Sequence, residues 1–123
     1  MNVVDSSGWL EFFADGPNAD FFAPALLESA TLIVPTISIF EVFKRVLQQR
    51  NEHAALQAIA LMQQGTVVDL DVSLSLEAAS LSCNLKLPLA DSIIYATARR
   101  YNAEFWTQDE HFCAIEGVHY IPK

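Results

Sequence analysis

Basic side chains are scarce in this sequence. Seven lysines and arginines stand against fifteen aspartates and glutamates over 123 residues, a formal net charge of −8. A protein that coats nucleic acid regardless of sequence needs dense positive charge to displace counterions, so that class is excluded. An enzyme that touches nucleic acid at one place is not. Cysteine is nearly absent. Cys83 and Cys113 form neither a disulfide framework nor a C-x-x-C pair; they suit a reducing cytoplasm and read as buried apolar fillers. His53, His111 and His119 are scattered, without H-x-x-x-H spacing, which argues against zinc. Also lacking are a basic leader ahead of an apolar run, a stretch near the roughly 20 residues that cross a bilayer, internal repeats, and any Pro/Gly/Ser-rich divide. The expectation is one acidic, cytoplasmic domain over residues 1–123, with no membrane segment.

What the sequence has is apolar substance. Hydrophobic residues make up 52% of it, enough to bury a substantial core and to exclude intrinsic disorder. Asn2–Asp5 reads as a short strand that turns through Ser-Ser-Gly into a helix carrying Trp9, Leu10, Phe12 and Phe13. A helix over Asn18–Glu28 follows the Gly16-Pro17 break, and Thr31–Val34 is a strand ended by Pro35. From Ser38 to about Arg50, Ile39, Val42, Phe43, Val46 and Leu47 recur at helical spacing. Glu52–Gln64 is a helix with Gly65 at its cap, Thr66–Leu70 a strand, and Ser73–Leu85 and Pro88–Tyr101 are helices. Glu104–Thr107 and Val118–Ile121 are the last strands. This alternation predicts an α/β domain around a mostly parallel sheet, whose sites collect beyond the C-terminal strand ends. Asp5 and Asp109 fall there.

Charge isolation is the strongest chemical signal. Asp5 is the only charged residue among the first ten, Glu41 the only one in SATLIVPTISIFEVF, and Asp91 the only one in LPLADSIIYATA. A lone carboxylate in an apolar stretch is costly to bury without donors or a cation. Three of one sign point to a shared positive partner, and a hard divalent ion such as Mg²⁺ or Mn²⁺ favours carboxylate oxygen. Each residue also has an ordinary reading. Ser38-Ile39-Phe40-Glu41 fits a capping box, and Glu41 stands four residues before Arg45 on a solvated face. Asp5 fits an Asx turn, and Asp109 beside Glu110 an open polar turn. Asp91 resists such a reading, because a helix this apolar is largely buried and its one acid needs a partner.

Together these residues resemble a family. Asp5 in VVDSS, Glu41 in TISIFEVFK, Asp91 in LPLADSIIYATA and Asp109 in WTQDEHF stand in the order and spacing of the PIN-domain ribonucleases, most closely the VapC-like toxins of toxin–antitoxin pairs. The resemblance covers essentially the whole chain. It implies a three-layer α/β sandwich with a mostly parallel central sheet flanked by helices. It further implies that Asp5, Glu41, Asp91 and Asp109 hold Mg²⁺ or Mn²⁺ and hydrolyse RNA phosphodiesters with metal-activated water. Ser6 and Thr107 match hydroxyl positions that would aim the carboxylates. Lys44, Arg45 and Arg99, with Lys86 and Arg100, are candidate phosphate contacts.

Other expectations follow from the same residues. An acidic cleft invites a cognate antitoxin that places Arg or Lys among the carboxylates. The surplus of large apolar side chains, among them Trp9, Phe12, Phe13, Phe40 and Phe43, reads as core or as the surface of a homodimer. Two competing functions stand beside the nuclease. A catalytically silent PIN-like module would only bind partners. The Asp69-Leu70-Asp71 triplet after a strand weakly matches haloacid-dehalogenase-like phosphotransferases, with Asp69 as nucleophile.

Overall fold

The structure, a computed structural model, describes residues 1–123. Its five short strands are β1 (Asn2–Val4), β2 (Ile33–Pro35), β3 (Thr66–Val68), β4 (Glu104–Thr107) and β5 (His119–Tyr120). The helices are α1 (Ser6–Phe13), α2 (Ala19–Leu26), α3 (Thr36–Gln49), α4 (Glu52–Met62), α5 (Val72–Leu85) and α6 (Leu89–Arg100). Every strand pairing is parallel: β1 with β4, β4 with β5, and β2 with β3. A parallel bridge from Asn2 to Leu32 joins the two groups, so the sheet runs β3-β2-β1-β4-β5.

Helices cover both faces, because successive strand residues point opposite ways. Val3, Ile33 and Phe105 face a core with Leu74 and Ala78 of α5 and Ile93 and Ile94 of α6. Val4 and Val34 face a second core with Trp9 of α1, Phe22 of α2, Val42 of α3 and Met62 of α4. The three-layer α/β sandwich is therefore the fold. The strand order reverses direction between β1 and β4, and a crevice opens beyond their C-terminal ends at such a switch point.

One glycine sets how closely α1 approaches the sheet. A Cβ at Gly8 would stand 2.5 Å from Val4 Cγ1 and 2.8 Å from two carbons of the Phe22 ring. Alanine has the better helix propensity by up to about 1 kcal/mol, but overpacking a closed core costs about 1–3 kcal/mol and wins. Gly8→Ala is expected to lower the melting temperature by on the order of 5 °C. An unchanged melting curve would mean that α1 can slide without loss.

Several sequence expectations need correction. Pro35 does not sit past a finished strand: it ends β2 and caps α3, which starts at Thr36. Ser38 is therefore inside the helix, fully buried with its hydroxyl unpartnered, and no capping box forms with Glu41. Gly65 is not the helix cap, which falls at Gln63; Gly65 instead passes close to the Leu32 carbonyl, 3.0 Å from where a Cβ would sit. Cys83 and Cys113 are exposed rather than buried. Phe40 is 60% exposed and belongs to neither core, whereas Trp9 is fully buried. No helix is long and apolar enough to cross a membrane.

Candidate metal centre in the acidic cleft

The switch point positions the first acid. Asp5 follows β1 directly and caps α1, its Oδ1 accepting from the Gly8 amide at 3.0 Å and from the Ser7 hydroxyl at 2.6 Å. Its Oδ2 accepts from Thr107 Oγ1 at 2.5 Å. The same Thr107 oxygen accepts the Asp109 amide at 2.8 Å, so one hydroxyl at the end of β4 ties two acids together. Asp5 is only 2% exposed. Burial pushes its carboxyl up to about 6 despite these donors, and the Asp109 charge adds to the rise.

Asp91 occupies the first turn of α6, where Pro88 caps the helix and the macrodipole favours an acid. Burial and repulsion from Asp109, then from Asp5, push its carboxyl up to about 6. Glu41, one turn into α3, takes the Ser6 hydroxyl on Oε1 at 2.7 Å and makes no ion pair with Arg45. Asp5, Glu41, Asp91 and Asp109 all line one cleft of about 680 Å³, with Ser6, Lys44 and Arg45 also on its walls.

The basic residues divide. Lys44 and Arg45 reach the cleft, and Lys123 joins them. Arg99 does not: it stands at the far end of α6, about 12 Å along the helix from Asp91, over the Tyr95 ring and beside Glu116 in a separate hollow. Arg100 is held by Asp71 and Glu77, at 3.4 and 3.1 Å. Lys86 caps α5 in a left-handed conformation. Nothing in the geometry favours the Asp69 reading. Asp69 is exposed outside the cleft, and Asp71 caps α5 while paired to Arg100.

One residue that touches two of these acids from outside the cleft wall was not expected from the sequence. His111 Nδ1 lies 3.0 Å from Asp91 Oδ2 and 2.9 Å from Asp109 Oδ1, and the acids hold the imidazole above its usual pKa. Asp109 caps the 3-10 turn Glu110–Phe112, which brings His111 round to its own carboxylate. A histidine two residues after a strand-end acid was the available signal. The donor set fits a hard divalent cation: carboxylate oxygens predominate, and burial with mutual repulsion keeps Asp5 and Asp91 above the ordinary carboxylate range although Ser7, Thr107, the Gly8 amide and His111 all favour their charged forms.

The family model described as PIN domain matches residues 3–118. The chain belongs to the PIN-domain family. Its fold is shared with a toxin–antitoxin complex from Klebsiella pneumoniae, at 21% identity and TM-score 0.79, covering 96% of this chain and 95% of that one. It is shared also with VapC20 of Mycobacterium tuberculosis, described as a toxin that cleaves the sarcin-ricin loop, at 15% identity and TM-score 0.78, covering 97% and 98%. VapBC-1 of nontypeable Haemophilus influenzae superposes at TM-score 0.70 with 16% identity, covering 98% and 96%. VapC toxins are thus among its structural neighbours. No curated protein matches the sequence.

Proposed function

We propose that this chain is a metal-dependent endoribonuclease, the toxin of a toxin–antitoxin pair. The observation that carries the reading is the convergence of Asp5, Glu41, Asp91 and Asp109, distant in sequence, on one cleft beyond the sheet. In this reading the four acids hold Mg²⁺ or Mn²⁺. The bound ion would lower the pKa of an attacking water and offset charge on the leaving oxygen. Thr107 and Ser6 aim the carboxylates of Asp5 and Glu41, and Lys44 and Arg45 bind substrate phosphates on the cleft wall. So few cations keep affinity for RNA in general low, which leaves specificity to the fit of particular RNAs.

Product chemistry tests the reaction. Attack by water yields a terminal phosphate monoester, whereas attack by the neighbouring 2′-hydroxyl yields a 2′,3′-cyclic phosphate. Cleavage of structured RNAs at discrete sites without cyclic ends is expected; cyclic ends formed in the presence of a chelator would overturn the proposal. Thr107→Val, similar in shape, strips a donor from Asp5 and the acceptor from the Asp109 amide. A loss of cleavage of about tenfold or more is expected. Undiminished cleavage would remove Thr107 from the site.

The antitoxin reading has its own support. An apolar groove of about 190 Å³ between α1, α3 and α4 adjoins the acidic cleft, sharing Leu10, Ala14 and Gln49 with it. An amphipathic segment in the groove could thus deliver an Arg- or Lys-bearing tail to the carboxylates. Co-expressing the adjacent small reading frame is expected to give a stable complex and relieve toxicity. For self-association, the exposed Val72 and Leu76 on α5 supply apolar surface. A monomer by light scattering at tens of micromolar, roughly where weak dimers assemble, would count against the homodimer.

A further inference from the structure

Which divalent ion the cleft selects depends on a side chain outside the four-acid pattern. His111 Nδ1 stands 3.0 Å from Asp91 Oδ2 and 2.9 Å from Asp109 Oδ1, and one ligand atom of each residue lies within 4.8 Å of the other two. In an octahedral site with bonds of about 2.1 Å, neighbouring ligand atoms are about 3.0 Å apart. Two sides of the His–Asp–Asp triangle already have that length. The arrangement is also anchored. Phe112, next in sequence, is fully buried against Tyr95 and Phe105, and Asp109 Oδ1 fixes the His111 amide at 2.9 Å. The imidazole is half exposed, which leaves this corner of the site open to an ion from solvent.

We infer that His111 is a metal ligand through Nδ1, together with Asp91 and Asp109, and that the cleft therefore prefers a first-row transition ion such as Mn²⁺ to Mg²⁺. The inference rests on the metal-dependent reading above. Its physical basis is donor softness. Mg²⁺ holds to oxygen and retained water, while an imidazole nitrogen raises affinity along the first-row series. In the Nε2–H tautomer, Nδ1 presents its lone pair to the ion.

The test is spectroscopic and uses the whole chain loaded with Mn²⁺ at neutral pH. Electron spin-echo modulation is expected to show a directly coordinated imidazole nitrogen in the parent and none in His111→Asn. Competition calorimetry is expected to show the parent binding Mn²⁺ more tightly than Mg²⁺, with that preference falling on the order of tenfold in the variant. Mn²⁺ bound by the parent with no nitrogen coupling would overturn the inference while leaving the ribonuclease reading intact. Absence of Mn²⁺ binding would overturn the inference, and absence of both Mn²⁺ and Mg²⁺ binding would overturn the ribonuclease reading as well.

Discussion

Asp91→Asn is expected to leave the metal-free protein as stable as the parent, or more so, while reducing metal-dependent RNA cleavage by on the order of a hundredfold or more. The two effects have one cause. Asp91 stands beside Asp109 with Asp5 nearby, and burial with their repulsion holds its carboxyl near 6. Asparagine removes the charge but keeps an oxygen for the His111 imidazole, which now stands 3.0 Å from Asp91. Repulsion falls and, on the proposed function, the cation loses a ligand. The thermal upshift that millimolar-scale Mg²⁺ or Mn²⁺ gives the parent by mass action should mostly disappear. An acid serving only to cap α6 would behave oppositely, with Asn costing stability and sparing cleavage. Melting and cleavage, each with and without metal, separate the two.

Acidification should stabilise the metal-free protein, contrary to the usual behaviour of carboxylates. Asp5 and Asp91 both have folded-state values raised to about 6 from 3.8. A raised carboxyl binds its proton more tightly in the folded state, so its contribution is fully present below about pH 4 and is lost as pH rises through about 6. His111, also raised, acts in the same direction. For Asp5 the full span is at most about 3 kcal/mol, at roughly 1.4 kcal/mol per pH unit. Only the upper part of that window is reached at pH 5.5, which keeps clear of the isoelectric point near 4.6. Between pH 7.5 and 5.5 the metal-free melting temperature should rise by on the order of 5 °C. With saturating Mn²⁺ the sign reverses, since protons compete with the ion for the same oxygens. A metal-free protein that melts lower at pH 5.5 would contradict the electrostatic account of the cleft.

Much of the fold was legible because strand, helix and acid each leave a local trace. Glu104–Thr107 matched β4 residue for residue, and the isolation of Asp5, Glu41 and Asp91 in apolar segments marked three residues that the fold brings to one cleft. What failed depended on partners far away in sequence. Ser38 looks like a helix cap because S-x-x-E is local grammar. The parallel pairing of Pro35 with Val68 instead ends a strand at Pro35 and starts the helix at Thr36, which frees Glu41 to meet Ser6, 35 residues distant. His111 looked incidental because only the packing of α6 against the turn after β4 brings Asp91 to its ring. Arg99 looked available because sequence does not say which end of α6 faces the crevice.

The central claim is that cleavage occurs by metal-dependent chemistry at these acids. It is tested most directly by cutting one defined RNA with chelator-stripped protein before and after adding back Mn²⁺, using the parent and Asp5→Asn. The account predicts no cleavage by the stripped parent, recovery on metal addition, and no recovery in Asp5→Asn even though that variant binds RNA as the parent does. Cleavage by the stripped parent, or full metal-restored cleavage by Asp5→Asn, would contradict it.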